Sequence, residues 1–349
     1  MEENKPSLDG VDIIKPLYKT KNSIIYLIRN KSTKDNVSVL KGINKTNVTT
    51  KEVEMIKRER AFYEYNSKKN NILFPKFYHP FKDNVNIYME ISFIQGLNLS
   101  HLIMNDHLLK FNYNDSNINL FLCLISQIIS MIDQLHSEGY IYRDLKMNNI
   151  IIDKKLKCYL VDFGFVKHFD SDSAMTNTVC GTLHMKAPEL FLLSQKRQNE
   201  YDGFKVDIYS IGVLMYEMYM GQPPFPYTTS NEDEYSQMIL KGLNNETHFN
   251  QTFYGDIKNK EDCELIKDLI INCMKTNPEE RITMKEMKEH KLFKGQFEKY
   301  KNMNEELMMS GEKQCKAITD YINFNGEFEE DYLISEEKKK MDDLFNQFF

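Results

Sequence analysis

The sequence predicts an α+β protein of two lobes: a small β-rich lobe over 11–93 with one main helix, and a larger, mainly helical lobe over 94–293. Three observations predict it. Short runs rich in β-branched and aromatic residues, Val11–Ile14, Ser23–Arg29, Val37–Lys41 and Val85–Phe93, fill the N-terminal part and are interrupted by one helical stretch over 51–65. Beyond Ser100 the apolar spacing turns helical over 118–137, 206–220, 234–241, 262–275 and 283–290. Between these regimes, 141–166 reads as loop and short strand, the place where a rigid scaffold carries reactive groups. After Phe293 a strongly charged tail, 294–349, ends in Leu344-Phe345-Asn346-Gln347-Phe348-Phe349.

The bulk numbers narrow the function classes. A chain of 349 residues can bury two cores, and 41% hydrophobic with 28% charged residues is a globular composition. A net charge of -6 gives no electrostatic case for nucleic acid or an anionic membrane. Six cysteines stand singly at 123, 158, 180, 263, 273 and 315, without a Cys-x-x-Cys pair. They read as reduced thiols of a cytoplasmic or nuclear protein. The start, Met1-Glu2-Glu3-Asn4-Lys5, lacks an apolar signal core and the glycine of a myristoylation site. The greasiest stretch, Leu120 to Leu135, is broken by Ser126, Gln127, Ser130, Asp133 and Gln134 and reads as a core helix, not a membrane span. The Asn/Lys-rich patches 66–71 and 244–250 read as solvated insertions.

The chemistry lies in a series of motifs: Lys41, Tyr142-Arg143-Asp144-Leu145-Lys146, Asn149, Asp162-Phe163-Gly164, Ala187-Pro188-Glu189 and Arg281. Phosphoryl transfer needs phosphates held, metal placed and an attacking hydroxyl aimed, and these residues occur in the order that task requires. Strand period two puts Val37, Val39 and Lys41 on one face. In these motifs the chain resembles a eukaryotic protein kinase, from about Val11 onward.

That resemblance implies a two-lobed kinase fold with ATP and Mg²⁺ as cofactors. Val39 would roof the adenine while Lys41 reaches the phosphates. Lys41 would pair with a helix glutamate, for which Glu59 and Glu64 are the candidates. Glu59 is preferred because Phe62 and Tyr63, at i+3 and i+4, can pack inward beside it, whereas Ser67 and Lys68 follow Glu64. Asp144 would accept the substrate proton, Lys146 would stabilise the moving phosphoryl, and Asn149 and Asp162 would hold metal. Glu189 and Arg281 would form a buried structural pair, and Asp207 would anchor the catalytic loop from below. Thr182 resembles the threonine of serine/threonine kinases that touches the catalytic Asp and Lys.

Finer details resemble the AGC group, and the cyclic-nucleotide-dependent kinases in particular: Tyr142, the run Asp162-Phe163-Gly164-Phe165-Val166-Lys167, and Thr178-Val179-Cys180-Gly181-Thr182. Thr178 would be the activation phosphosite, received by Arg143 and Lys167. The alignment makes Ile91 the gatekeeper, Ser92, Phe93 and Ile94 the hinge, and Ile151 part of the adenine floor, with Leu17 and Ile25 also nucleotide-facing. Phe328-Glu329-Glu330-Asp331-Tyr332 resembles the tail segment that wraps over the nucleotide cleft, and Phe345 and Phe348 a motif that docks beside the Glu59 helix. The chain departs from this pattern in four places. Tyr18, Thr20 and Ser23 replace the three glycines of the phosphate-covering loop. Leu183-His184-Met185-Lys186 is unlike the usual substrate-facing loop. Asn98 and Asn148 stand where substrate-selecting glutamates are common, though Glu217 remains. No cyclic-nucleotide-binding domain is present, so such control would come from another chain. The implied partners are protein substrates, with a regulatory subunit or an upstream activating kinase, and neither nucleic acid nor membrane. A pseudokinase, an interaction module without turnover, is the alternative, and the glycine-free loop is its support.

Overall fold

Alternation along the strands gives the small lobe its two faces. β1 (Val11–Lys19), β2 (Ser23–Asn30), β3 (Val37–Asn44), β4 (Phe77–Lys82) and β5 (Asn86–Ser92) form an antiparallel sheet ordered β1-β2-β3-β5-β4. The computed structural model describes residues 10–19, 23–31, 37–69, 71, 73–82, 85–105, 111, 118–170, 173–225, 232–242, 260–310 and 313–326. Thr20, the stretch Phe328–Tyr332, Phe345 and Phe348 lie outside the described residues. Opposed residues share a face. Ile25 therefore lies with Lys41, and Val39 with both Leu27 and Ile91, on the face turned to the cleft and the main helix. The opposite face closes over a small core of Ile28, Leu40 and Tyr88. Strand β4, Phe77-Tyr78-His79-Pro80-Phe81-Lys82, is absent from the sequence reading because Pro80 interrupts its pattern. As an edge strand it loses nothing by a missing N–H, and Pro16 is tolerated in the other edge, β1, for the same reason.

The main helix, α1 (Thr50–Lys69), starts at a capping box: the Glu52 carboxylate accepts from the Thr49 N–H at 2.7 Å, and Thr49 Oγ1 accepts from the Glu52 N–H at 3.3 Å. Its buried residues, Glu59, Phe62, Tyr63 and Asn66, make one stripe at helical spacing. That stripe faces the sheet and the large lobe.

The large lobe is built on α2 (Ile118–Ser137), buried along most of its length. Among the described residues it is the one helix long and apolar enough to cross a membrane, but here it forms the axis of the core. Two small sheets flank it. β6 (Gly96–Asn98), β8 (Ile150–Asp153) and β9 (Cys158–Leu160) pair in the order β6-β8-β9, while β7 (Tyr140–Ile141) pairs with β10 (Lys167–His168). Residues 142–149 thus hang between β7 and β8, and 161–166 between β9 and β10. Helices α3 (Pro188–Ser194) and α4 (Gly203–Met220) follow. Asp202 Oδ1 caps α4 by accepting from the Phe204 N–H at 2.9 Å. The helix Lys260–Cys273 crosses α4 at Gly212, where a Cβ would come within 2.7 Å of Cys273 Cβ.

The tail differs from its sequence reading over its first part. Helices Phe297–Lys301, Asn304–Met309 and Lys313–Gly326 pack onto α2 and β6. Phe297, Tyr300, Leu307, Cys315, Ile318 and Ile322 join the large core. Charged neighbours dilute these residues in composition, but their spacing of three and four gathers them on one face.

The Glu189–Arg281 pair ties α3 to the base of the lobe. Two bonds of 2.6 Å join the guanidinium to the carboxylate, and both residues are 2% exposed. Arg281 also donates to the carbonyls of Lys275 and Lys205 at 2.8 and 2.9 Å. Removing one partner strands the other charge in the core. Arg281→Met is expected to destabilise the protein by about 3–5 kcal/mol in urea denaturation, and Glu189→Leu in the same background to recover part of that loss. An Arg281→Met protein of unchanged stability would refute the structural role.

Candidate active site

Lys41 leaves β3 toward α1 and the 161–166 loop. Its ammonium donates to both Glu59 carboxylate oxygens, at 2.7 and 2.9 Å, and to Asp162 Oδ1 at 3.3 Å. Burial opposes the positive charge, but the Asp162 and Glu59 carboxylates outweigh it and hold the Lys41 pKa above the usual lysine value. Burial in turn raises the Glu59 carboxyl, against the pull of Lys41. The Lys41 charge lowers Asp162. Glu64 takes no part: it is half-buried and pairs with Arg60 at 2.7 Å within α1.

Aromatic stacking sets the position of this junction. Phe163, fully buried, stacks on Phe62 of α1 with ring centroids 4.1 Å apart and meets Tyr63, Phe74 and Tyr142 edge-on at 5.4–5.5 Å. Such pairs add to the area they bury. Asp162 itself has φ +62°, a strained value for a non-glycine residue, and the Gly164 N–H donates to its Oδ1 at 3.3 Å.

The second cluster surrounds Asp144. Its Oδ1 accepts from Thr182 Oγ1 at 2.8 Å and from the Thr182 N–H at 3.2 Å. Its Oδ2 accepts from Asn149 Nδ2 at 2.9 Å and lies 3.0 Å from Lys146 Nζ. Lys146 donates to Thr182 Oγ1 at 2.9 Å, which closes the ring. Gly181, at φ +91°, lets the chain reach Thr182, because a Cβ there would come within 2.6 Å of the Arg143 carbonyl. Asp207, fully buried on α4, fixes the loop from below. It accepts from the N–H groups of Tyr142 and Arg143 at 2.8 and 2.7 Å and lies 2.9 Å from His136 Nε2. Tyr142 donates its hydroxyl to the Val161 carbonyl at 2.6 Å, so one residue links the Asp144 loop to the Asp162 loop.

The remaining sequence-derived positions surround these clusters. Val39 and Ile91 are register partners, Ile25 lies opposite Lys41, and Ile151 lies opposite Asn98. Leu17 and the exposed Tyr18 stand at the end of β1 and Ser23 at the start of β2, around the phosphate-loop position. Ser92, Phe93 and Ile94 connect β5 to the large lobe. Thr178 lies in a pocket of about 240 Å³ lined also by Lys51, Arg58 and Arg143. Lys167 is turned to Thr176 Oγ1 at 3.0 Å instead. Lys51 and Arg58 were invisible as site residues because, in sequence, they look like ordinary charges on a polar helix.

Beside the catalytic ring, His184 covers a buried carboxyl. Its Nε2 lies 3.4 Å from Glu217 Oε1, and Glu217 is 2% exposed. Burial pushes Glu217 up to about 8, while burial and the Lys146 charge push His184 down to about 4. The pair is therefore largely uncharged near neutrality. At 2% exposure Glu217 lies beneath His184 and not on the open surface.

As donors, Asn149 and Asp162 suit a hard, oxygen-seeking cation. Asn149 commits its Nδ2 to Asp144, which leaves Oδ1 as an acceptor, and the Asp162 side chain is 52% exposed. Among the described residues no cluster of three or more His, Cys, Asp or Glu could hold a metal by itself. Two oxygen ligands supplemented by phosphates match the way Mg²⁺ is usually held.

Lys41→Met leaves Glu59 buried without its cation. A carboxyl whose folded pKa lies above its unfolded value stabilises fully below that value, roughly 4.3, and loses the contribution as pH rises through the folded value. The variant is expected to lose about 3 kcal/mol relative to wild type as pH rises above the unfolded carboxyl value, measured by denaturation at several pH values. Glu59→Gln in the same background should flatten the curve. Parallel pH–stability curves for Lys41→Met and wild type would exclude the ion pair as a stabilising contact.

The comparisons with known proteins agree with this geometry. The protein kinase domain model matches residues 17–293. An Aurora kinase of Debaryomyces hansenii is 29% identical over 289 residues, covering 81% of this chain and 62% of that protein. The serine/threonine-protein kinase SIK2 of Gallus gallus is 29% identical over 282 residues, 80% of this chain and 31% of its own. A protein kinase C of Drosophila melanogaster is 45% identical over a shorter 106 residues, 30% of this chain and 13% of its own. The chain thus spans less than two thirds of the length of each of these relatives. A β-rich lobe with one docked helix, a helical lobe beneath it and a family model that runs through both leave one assignment: the chain belongs to the protein kinase family and has its two-lobed fold.

Proposed function

We propose that this chain is an ATP-dependent serine/threonine protein kinase of AGC type, acting on protein substrates. The observation that carries the reading is the closed ring Asp144–Thr182–Lys146, with Asn149 bonded to Asp144, beside an intact Lys41–Glu59–Asp162 junction. Every charged position the chemistry needs is filled and engaged. In this reading Asp144 orients the acceptor hydroxyl and takes its proton, and Lys146 offsets charge that develops on the transferred group. Lys41 holds nucleotide phosphates. Asn149 and Asp162 would hold Mg²⁺, which when bound screens the phosphate charge. The contact of Thr182 with both Asp144 and Lys146 favours serine and threonine as acceptors. The AGC assignment rests on Tyr142, Phe165-Val166-Lys167 and the segment Thr178–Thr182. The cations Lys51, Arg58 and Arg143 beside Thr178 support control by an upstream kinase from another chain, and the cysteine usage supports a cytoplasmic or nuclear site.

The glycine-free phosphate loop predicts weak nucleotide binding rather than inactivity, because Lys41, Asp144, Asn149 and Asp162 do not depend on that loop's backbone. Mg-ATP turnover on a peptide array is expected with an elevated KM. Lys41→Met and Asp162→Asn should each lower kcat/KM by about a hundredfold or more. Turnover by Lys41→Met equal to wild type would sink the assignment, and binding without turnover in wild type would favour the interaction module.

Phosphorylation of Thr178 is expected to activate. The added charge of roughly -1.5 to -2 would sit among Arg143, Arg58 and Lys51 and so join the catalytic loop to α1. Charge-assisted bonds of about 1.5–3 kcal/mol correspond to roughly ten- to a hundredfold in rate. Thr178→Ala should lose that factor, and Arg58→Ala most of it, with phosphopeptide mapping to show the modification in active protein. Full activity in Thr178→Ala would rule out the switch.

A further inference from the structure

Two buried carboxyls of the large lobe have very different partners. Glu189 meets the Arg281 guanidinium through two bonds of 2.6 Å, as a desolvated carboxylate ordinarily must. Glu217, on α4 and equally buried, faces the His184 ring, with Nε2 3.4 Å from its Oε1. Burial and the Lys146 charge oppose a positive charge on that ring. Burial alone pushes the Glu217 carboxyl up to about 8. The ring also closes the approach from the surface: the His184 side chain is 18% exposed and the carboxyl beneath it 2%.

The backbone that carries His184 is fastened independently of its ring. Leu183–Met185 form one tight turn, in which the Met185 N–H donates to the Thr182 carbonyl at 3.0 Å and the Lys186 N–H to the Leu183 carbonyl at 3.1 Å. From outside the turn, the Tyr235 hydroxyl donates to the His184 carbonyl at 3.4 Å, and Ser210 Oγ to the Met185 carbonyl at 3.3 Å. None of these bonds uses the imidazole. Thr182, two residues earlier, bonds Asp144, which orients the acceptor hydroxyl in the proposed reaction. Two residues span at most about 7 Å, so a peptide seated at Asp144 brings the neighbours of its acceptor within reach of His184.

We propose that His184 is a specificity-determining residue: its ring fills the place above Glu217 that a basic substrate side chain would take, and so makes the wild-type enzyme indifferent to arginine beside the acceptor. The inference rests on the protein-kinase reading for where the acceptor lies. With the ring removed, a peptide guanidinium can reach the carboxyl, whose proton passes to solvent as the ion pair forms. A charge-assisted hydrogen bond of this kind is worth about tenfold or more in affinity.

A set of serine peptides tests it, with arginine or its neutral isostere citrulline placed in turn at each position flanking the serine. The full chain is compared as wild type, His184→Ala, His184→Phe and His184→Ala/Glu217→Gln. Both kcat/KM with Mg-ATP and peptide affinity by fluorescence anisotropy are read, and thermal midpoints show that the variants are folded. Wild type and His184→Phe, which keeps a ring over the carboxyl, should treat arginine and citrulline alike. His184→Ala should prefer arginine by about tenfold at one position, through KM and affinity rather than kcat. The double variant should lose that preference. A ring with a merely structural role would instead change both peptides equally. The proposal is overturned if His184→Ala gains no arginine preference, if the gain survives Glu217→Gln, or if wild type or His184→Phe already shows it. Absence of turnover on every peptide would refute the kinase reading, and the affinity ratios then decide the role of His184 by themselves.

Discussion

The Lys41–Glu59 ion pair is the contact on which the site depends. A carboxylate that is 2% exposed cannot stay there alone, because the loss of water costs several kcal/mol. It survives because Lys41 meets both of its oxygens, and that meeting requires three elements at once. Strand β3 must present Lys41 on the cleft face. Helix α1 must be docked with its Glu59–Phe62–Tyr63 stripe inward. The Asp162 loop must bring its own carboxylate to the same ammonium, at 3.3 Å. The stack of Phe163 on Phe62 couples the last two conditions, since the ring next to Asp162 packs against the helix that bears Glu59. Charge and aromatic packing thus hold one another in place.

The large lobe supplies a rigid platform of a different kind. Asp207 binds two consecutive backbone N–H groups of the catalytic loop and a histidine from α2, so the loop is fixed by a buried charge rather than by loop packing alone. That rigidity supports uncommon backbone at the reactive positions: Arg143 and Asp162 both have positive φ, at +67° and +62°. Tyr142 joins the two strained segments through Val161. The Glu189–Arg281 pair then secures the far end of the segment that carries Thr182. Each of the two reactive clusters is therefore held by a buried charged group on a separate helix.

The departures from the family pattern fall where nucleotide phosphates and substrate would approach, not in these supports. Tyr18 and Ser23 stand where β1 ends and β2 begins, at positions that the family resemblance gives to loop glycines. His184 lies over the buried Glu217 carboxyl at 3.4 Å. Both changes leave the Asp144 ring and the Lys41 junction intact, which separates how the chain holds its catalytic groups from what those groups would meet.

The sequence by itself determined what local pattern and motif order can carry. Period two placed Val39 with Lys41, helical spacing marked α1 and α2, and the series from Lys41 to Arg281 named the family and the residues that meet in the cleft. Contacts between distant segments were decided only by the tertiary structure. Glu59 and Glu64 are alike as letters. The fold separates them because one faces Lys41 and the other faces Arg60 in water. Lys51 and Arg58 read as solvated helix charges until the segment around Thr178 is laid beside them. His184 and Glu217 are 33 positions apart, and only packing brings the ring to 3.4 Å from the buried carboxyl. The helices after Phe297 read as charged tail because their apolar residues are sparse, and α2 and β6 gather them into the core. In each case the physical reason is the same: a side chain's partner, and hence its charge and burial, is a property of the assembled surface around it, while sequence spacing reports only the neighbours within its own element.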